Sequence, residues 1–411
     1  MLNTTRYNYQ VMKRRTYLRS VGTGVTGIVL AGCVTTDGGG NGDETTTEPG
    51  GTTTRETTRE GTETTAGTRP ETTDEATPTT APEQDVEGTL RVATYSAFVS
   101  APSTSPGAWI KEEFEKQYPN ATLKYETPDS GINYYLQRRQ QGVGIDADVY
   151  VGLNTDELIR IDEKLPNKRL FRPIDENRLE NASHVLPELR IDPKGRALPY
   201  DTGYISLVYD ERKVTAPGTF EALTKPYYEG TLLAQNAQTS DTGKAFLLWT
   251  IYTLGEDEYL DYWQRLVDND VRILENWDKA YAAYGNGQRP IVVSYSTDQV
   301  YASRYGEPME RHQVGFLNDQ GYANPEAMAV FENTDQPDLA RAFVDFMLSK
   351  TVQSNLPVLN VQYPATDHAD LPAEFEKYAY TPDEPVTFTY DELKGKVETW
   401  VDDWARQIAT K

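Results

Sequence analysis

Val271-Arg-Ile-Leu-Glu-Asn-Trp-Asp-Lys-Ala-Tyr-Ala-Ala-Tyr-Gly-Asn-Gly-Gln-Arg-Pro-Ile-Val-Val-Ser-Tyr-Ser-Thr-Asp-Gln-Val-Tyr301 reads as strand, helix, strand. Val271 and Ile273 make an apolar β-branched run that ends at Asn276-Trp277-Asp278. A helix is expected from Asp278 to Tyr284, closed by Gly285; Pro290 then leads into a buried strand, Ile291 to Ser294, ending at Tyr295-Ser296-Thr297. That succession is the unit of a parallel sheet. Both strands end in an aromatic residue flanked by small polar ones, and open α/β sheets bind ligands beyond the carboxyl ends of their strands. Trp277 and Tyr295 are therefore expected to face one cleft.

The alternation extends outward in both directions. Strands are expected at Thr89–Tyr95, Ala121–Glu126, Asp148–Gly152, Ile205–Asp210 and Thr231–Ala234. Between them, helical spacing covers Pro106–Tyr118, Ile132–Gln141 and about Gly243–Leu254, and Asn154 or Thr155 is placed to cap a further helix. Leu339–Leu348 and Tyr390–Ile408 read as amphipathic helices, with Trp400 and Trp404 packing into a core. The pattern is α/β and doubly wound.

The amino terminus has a different use. Lys13-Arg14-Arg15-Thr16-Tyr17-Leu18 is a twin-arginine pattern, and the weakly apolar run Val21–Leu30 is too short to span a bilayer. Leu30-Ala31-Gly32-Cys33 resembles a lipobox, and Cys33 is the single cysteine of the chain. Residues 1–33 are thus expected to be a twin-arginine (Tat) lipoprotein signal, with Cys33 lipidated and the protein held at the extracellular face of the membrane. Residues 34–88 are rich in Thr, Gly and Glu with almost no large apolar side chains. Such a stretch buries too little surface to offset its ordering entropy, so a disordered tether is expected. Residues 89–409 form the folded part.

Composition narrows the function. The formal net charge is −23, spread over every segment with no basic patch. That excludes a nucleic-acid partner and resembles the acidic, solvated surface of a halophilic protein. The chain has three histidines, His184, His312 and His368, none at metal-ligand spacing from another, so no metal site is expected. It lacks a Gly-x-Ser-x-Gly elbow, a phosphate-binding loop and a dinucleotide fingerprint, and no carboxylate pair stands out as an acid/base couple. No cofactor is expected. Instead the strand ends carry Tyr95, Ser130, Tyr200, Ser240, Trp277, Tyr295, Tyr322 and Tyr363. That inventory suits binding rather than catalysis, and aromatic faces attract flat or cationic ligands by roughly 0.5 to 2 kcal/mol per contact.

From Thr89 to Gln407 the chain resembles the thiamine-binding solute receptors of ABC importers. The family's Thr-Tyr-Asp-Ser-Phe stands here as Thr94-Tyr95-Ser96-Ala97-Phe98, its Asp-Gly-Val as Ser130-Gly131-Ile132, and its Ala-Asp-Val-Val-Leu-Gly-Leu-Asp as Ala147 to Asn154. Pro-Phe-Asp-Tyr-Gly-Tyr is similar to Pro199–Tyr204, which contains Asp201, and the Gln-Asp-Pro-Arg-Thr-Ser-Thr-Pro-Gly loop to Gln235–Gly243, which keeps Thr239 and Ser240. Gly-Trp-Ser-Glu-Ala-Tyr matches Asn276–Tyr281 and Leu-Ser-Tyr-Thr-Thr matches Val293–Thr297. Gly-Asn-Trp followed by Met-Tyr-Pro-Val stands as Leu359-Asn360-Val361 followed by Gln362-Tyr363-Pro364-Ala365, so a stacking Trp of the family is Val361 here.

The resemblance implies a type II periplasmic-binding-protein fold of two lobes around a ligand cleft. Lobe 1 is expected over about 89–201 and 325–355, lobe 2 over about 202–324 and 356–409, with crossing segments near Tyr204–Tyr209 and Ala327–Phe331. It implies a receptor, not an enzyme, that delivers thiamine or a phosphorylated thiamine to an ABC permease and its ATPase. The implied binding residues are Tyr95, Ser130, Gly131, Asn154, Asp201, Thr239, Ser240, Trp277, Tyr295, Tyr322, Asn360 and Tyr363. Three rivals share the fold. A polyamine or other small organic cation is the first. A ferric-ion receptor needs an adjacent Tyr-Tyr pair where this chain has Tyr295-Ser296. A thiaminase-like enzyme needs a cleft cysteine, and Cys33 lies in the lipobox.

Overall fold

A computed structural model describes residues 86–100 and 105–409; the expected export signal, Cys33 and nearly all of the tether lie outside them. These described residues form one unit. Its centre is a mixed sheet of eleven strands: β1 (Gly88–Ala93), β2 (Ala121–Glu126), β3 (Val149–Leu153), β4 (Ala197–Tyr209), β5 (Leu232–Gln235), β6 (Arg272–Leu274), β7 (Ile291–Tyr295), β8 (Gln313–Gly315), β9 (Gln320–Val330), β10 (Tyr363–Pro364) and β11 (Glu384–Val386). The main path runs β2-β1-β3-β9-β4-β7-β5-β6.

Each flank is parallel: β1 pairs with β2 and β3 on one side, and β5 with β6 and β7 on the other. The opening stretch therefore forms a parallel unit as expected, with β5 inserted between its two strands. The two longest strands join the flanks. β9 pairs antiparallel with β3 over Ala327–Val330 and with β4 along most of its length, while β4 pairs antiparallel with β7 over Ile205–Tyr209. Because β4 and β9 are laddered to each other, the place where one flank meets the other is built from backbone hydrogen bonds.

Local chemistry explains the helices around the cleft. Ile132–Gln141 is helical over the residues expected and starts from Gly131 at φ 53°. Thr155–Lys164 is opened by a capping box of Asn154 and Glu157. Asp241–Leu254 is opened by Ser240, whose hydroxyl accepts the Gly243 N–H at 3.3 Å. It buries residues on every side, including Phe246, Leu247, Trp249 and Ile251, the pattern of a helix inside a core.

Two expectations need correction. Trp277 does not continue the strand: it is the first residue of the helix Trp277–Gly285, because Asn276 accepts the Lys279 N–H at 3.0 Å and caps there. That helix packs Ala280, Ala283 and Tyr284 onto Val208, Leu233 and Val292. The carboxy-terminal amphipathic segment is two helices, Tyr390–Leu393 and Val397–Ala409, parted where Gly395 sits at φ 76°. Trp400 and Trp404 do enter the core.

Candidate functional site

The register of β4 and β9 sets Asp201 directly opposite Glu326. Directly opposed residues share a face about 5 Å apart, where like charges repel. Asp201 is fully buried and Glu326 partly so. Asn360 Nδ2 donates to Asp201 Oδ2 at 2.6 Å, while Asp201 Oδ1 has no hydrogen-bond partner. The Tyr200 hydroxyl donates to Glu326 Oε2 at 2.6 Å. Among the described residues, no lysine or arginine is a charge that acts on either acid. Burial, then the charge of Glu326, holds the Asp201 carboxyl well above the usual range. Burial likewise pushes Glu326 up to about 7, against the hydrogen bond from Tyr200 that lowers it. An acid pair without a counter-charge is a place where a proton or a cationic ligand is favoured.

Two tyrosine rings lie beside this pair, each admitted by a glycine. Gly152, on β3 at φ 96°, would place a Cβ 2.6 Å from the Tyr95 ring and 3.8 Å from Glu326 Oε2. Gly203, on β4, would place one 2.6 Å from the Tyr295 ring and 2.2 Å from Gln362 Oε1. Residues two apart on a strand share a face, so Tyr295 covers the face that carries Asp201. Tyr95 and Tyr295 both have phenols raised, first by burial and next by the charge of Glu326. Asn360 Nδ2 also reaches the Tyr95 hydroxyl at 3.4 Å. Between Asn360 and Gln362, Val361 takes φ 55°, a strained conformation for a β-branched residue. That turn lets both of its neighbours face the site. Gly152→Ala is expected to reduce stability by roughly 2 kcal/mol, from positive φ and overpacking against Tyr95 together. Urea denaturation measures it, and an unchanged midpoint would show that the ring moves aside freely.

Trp277 is held separately. Its Nε1 donates to Ser294 Oγ at 3.0 Å, and its ring stacks on Tyr281 at 4.7 Å and 21°. Tyr281 in turn donates to Asp298 Oδ1 at 2.5 Å, and Asp298 Oδ2 pairs with His312 Nδ1 at 2.7 Å. Successive strand residues point to opposite faces, so the Ser294 hydroxyl and the Tyr295 ring leave β7 in opposite directions. Tyr363 joins the acid pair through the backbone: β10 pairs Tyr363 with Thr202 and Pro364 with Asp201.

Other expected residues have side chains already engaged. Asn154 donates Nδ2 to Pro325 O at 3.1 Å besides capping its helix. The Tyr322 phenol is satisfied by hydrogen bonds from Thr387 and the Phe388 backbone. Thr239 donates to Glu275 O at 2.6 Å. Ser130 is exposed in the turn before Gly131, where a Cβ would come 3.4 Å from the Tyr150 hydroxyl. Lys244, in the turn after Ser240, is paired with Asp156 at 2.6 Å. The residue that sequence reading missed is Glu326. Its signal is an acid inside Ala323–Val330, a run otherwise apolar but for Asn324 and Pro325.

Comparison with known proteins gives a family and a fold. The family described as bacterial extracellular solute-binding protein matches residues 147–383. A thiamine-binding periplasmic protein of Salmonella typhimurium is 29% identical over 325 residues, 78% of this chain and 93% of that protein. Its Escherichia coli counterpart is 28% identical over the same shares. Among solved structures, a periplasmic thiamin binding protein superposes with a TM-score of 0.66 at 26% identity, covering 78% of this chain and 96% of the other. An apo ferric ion-binding protein A of Pasteurella haemolytica gives 0.63 at 14% identity over 78% and 98%, a likeness of fold alone.

Proposed function

The chain belongs to the bacterial extracellular solute-binding protein family, and on that premise we propose that it is the lipid-anchored binding subunit of an ABC importer, with thiamine or a phosphorylated thiamine as its ligand. The names of its relatives support the ligand class. One observation carries the reading onto this chain: the Asp201–Glu326 pair, beside the rings of Tyr95 and Tyr295, has no basic partner among the described residues. An organic cation with flat rings supplies the charge that the acids lack and the faces that the phenols fit. Asn360 orients Asp201, and Trp277, on the side of β7 opposite Tyr295 but at the same carboxyl end of that strand, offers the ring face not covered by Tyr281 to the part of the ligand that passes beyond the strand end. Thr239, Ser240 and the start of the helix Asp241–Leu254 receive the far end of the ligand. Asp241 in the first turn, and Lys244 already paired with Asp156, favour an uncharged hydroxyethyl end over a phosphate.

The lobes meet at the Asp201–Thr202 and Asn324–Pro325 steps, so closure bends β4 and β9 where the acid pair sits. The closed protein delivers its ligand to a permease and ATPase. Export by the twin-arginine route and lipid on Cys33 keep it beside them. Cys33→Ser is expected to move the protein from the membrane to the soluble fraction, because an acyl anchor is then absent; unchanged partitioning would overturn the anchor.

Trp277→Ala tests the site. Losing a stacking ring removes its cation–π contribution and roughly 2 kcal/mol of apolar burial, so thiamine affinity by titration calorimetry is expected to fall about thirtyfold or more. Trp277→Phe should recover much of it. Spermidine serves as the competing ligand: preference for it over thiamine would replace the reading with a polyamine receptor, and an unchanged Trp277→Ala affinity would remove this residue from the site.

A further inference from the structure

Two of the chain's three histidines meet. His184 ends the short turn Ala182–His184, and His368 lies 184 positions later, just past β10. Their ring centroids are 4.0 Å apart. His184 Nδ1 contacts Asp367 Oδ1 at 2.8 Å, and ligand atoms of His184, Asp367 and His368 all lie within 4.8 Å of one another. The backbone beneath them is fixed from two directions. Val185 and Thr366 form an antiparallel bridge, Leu186 N–H donates to Ala365 O, and Asp367 N–H donates to His184 O at 3.0 Å. Behind the bridge, fully buried Gln353 donates to Tyr200 O and accepts the Ala365 N–H at 2.9 Å.

The tautomer of His368 follows from its partner. Its Nε2 lies 3.0 Å from Leu348 O, and a carbonyl only accepts. Nε2 therefore carries the proton, and Nδ1 presents a lone pair. An imidazole anchored through one nitrogen on a backbone carbonyl and free at the other is the arrangement that orients metal-binding histidines. We propose that His184, Asp367 and His368 bind one divalent transition-metal ion, with water completing its coordination. Two imidazoles and one carboxylate suit Zn²⁺, Ni²⁺ or Cu²⁺ and not the all-oxygen preference of Ca²⁺ or Mg²⁺. Bonds of about 2.0 to 2.2 Å draw the three ligand atoms together by roughly an ångström, within reach of side chains that are half-buried or exposed. The ion would tie the turn Ala182–His184 to the segment 360–368, whose other end holds Asn360, Gln362 and Tyr363 beside the acid pair. This inference stands apart from the choice of organic ligand.

The full chain, stripped with chelator and titrated with Zn²⁺ alone, is expected to bind one ion. His184→Gln and His368→Gln should each weaken that binding tenfold or more. Zn²⁺ should also raise the melting temperature of the wild type by a few degrees, and of neither variant. Imidazole ¹⁵N resonances of the wild type provide a reading independent of variants, since only three rings report. Shifts at His184 and His368 with His312 unmoved support the site. Absence of saturable binding, equal binding by the variants, or shifts at none or all three rings would overturn it.

Discussion

Asp201→Asn combined with Glu326→Gln is expected to weaken thiamine binding by about a hundredfold or more while raising the stability of the unliganded protein. The two effects have one cause. In the free protein the acids oppose each other across a strand pair and gain nothing from a basic side chain. Making both neutral relieves that repulsion and the burial of charge. With a cation bound, the same acids are its counter-charge, and truncating a buried charge partner removes about 2 to 5 kcal/mol. At 1.4 kcal/mol per factor of ten, a hundredfold loss sits near the lower end. Calorimetry and thermal melting on one preparation check both signs. A variant that melts lower and binds as the wild type would dismiss the pair as a ligand site.

The pair also sets a pH profile. A folded-state value near 7, against the ordinary 4.5 of a glutamate, means that folding favours the protonated form. The stability that Glu326 contributes is therefore full below about 4.5 and is lost as pH rises through about 7. A bound cation favours the ionised form, so thiamine affinity should climb over the same interval and protons should be released on binding. The groups acting on Glu326 are Tyr200, Asp241 and Tyr95. Glu157, pushed up to about 8 by burial and by Asp241 and Asp156, titrates nearby. The profile attributable to the pair is thus the difference between wild type and Glu326→Gln.

Trp263→Ala is the second large effect, and it falls on stability. Trp263 is fully buried, its Nε1 donates to Thr250 Oγ1 at 3.0 Å, and its ring meets Trp404 at 5.3 Å and Phe246 at 5.6 Å, both edge to face. Removing a large aromatic from such a site typically costs about 3 to 5 kcal/mol, because the surroundings close only partly on the cavity. Trp404→Ala should add less than its own effect on top, since the two rings share one contact. Urea midpoints for the singles and the double measure this; strict additivity would place the helix Val397–Ala409 outside the core that Trp263 anchors.

What was legible in the chain was what neighbours in sequence decide. The strand–helix–strand of 271–301 and the helix Ile132–Gln141 follow from periodicity and from Gly and Asn at their ends. Tyr95, Asp201, Tyr295 and Asn360 stand far apart in the chain, and the fold brings them to one acid pair. Its other half was hidden, because Glu326 faces Asp201 only through a register that joins positions 125 residues apart. The histidine pair was hidden for the same reason. Spacing along the chain detects ligands on one helix or hairpin, and His184 and His368 share neither. Asn154 shows the converse: a residue that could cap or bind is seen to cap once Pro325 is folded against it.

The Asp201–Glu326 pair has a consequence for changing what this scaffold recognises. The separation of its two carboxyl-bearing positions is fixed by the hydrogen-bond ladder of β4 and β9, not by the packing of either side chain. Charge at the site can therefore be rewritten at two positions without disturbing the frame that holds them. An Asn–Gln pair presents amides at the same spacing and suits a neutral heteroaromatic, while one basic substitution opposite the remaining acid makes an internal ion pair that needs no ligand charge. A family of sensors for rings of different charge can be drawn from one backbone by editing a single rung.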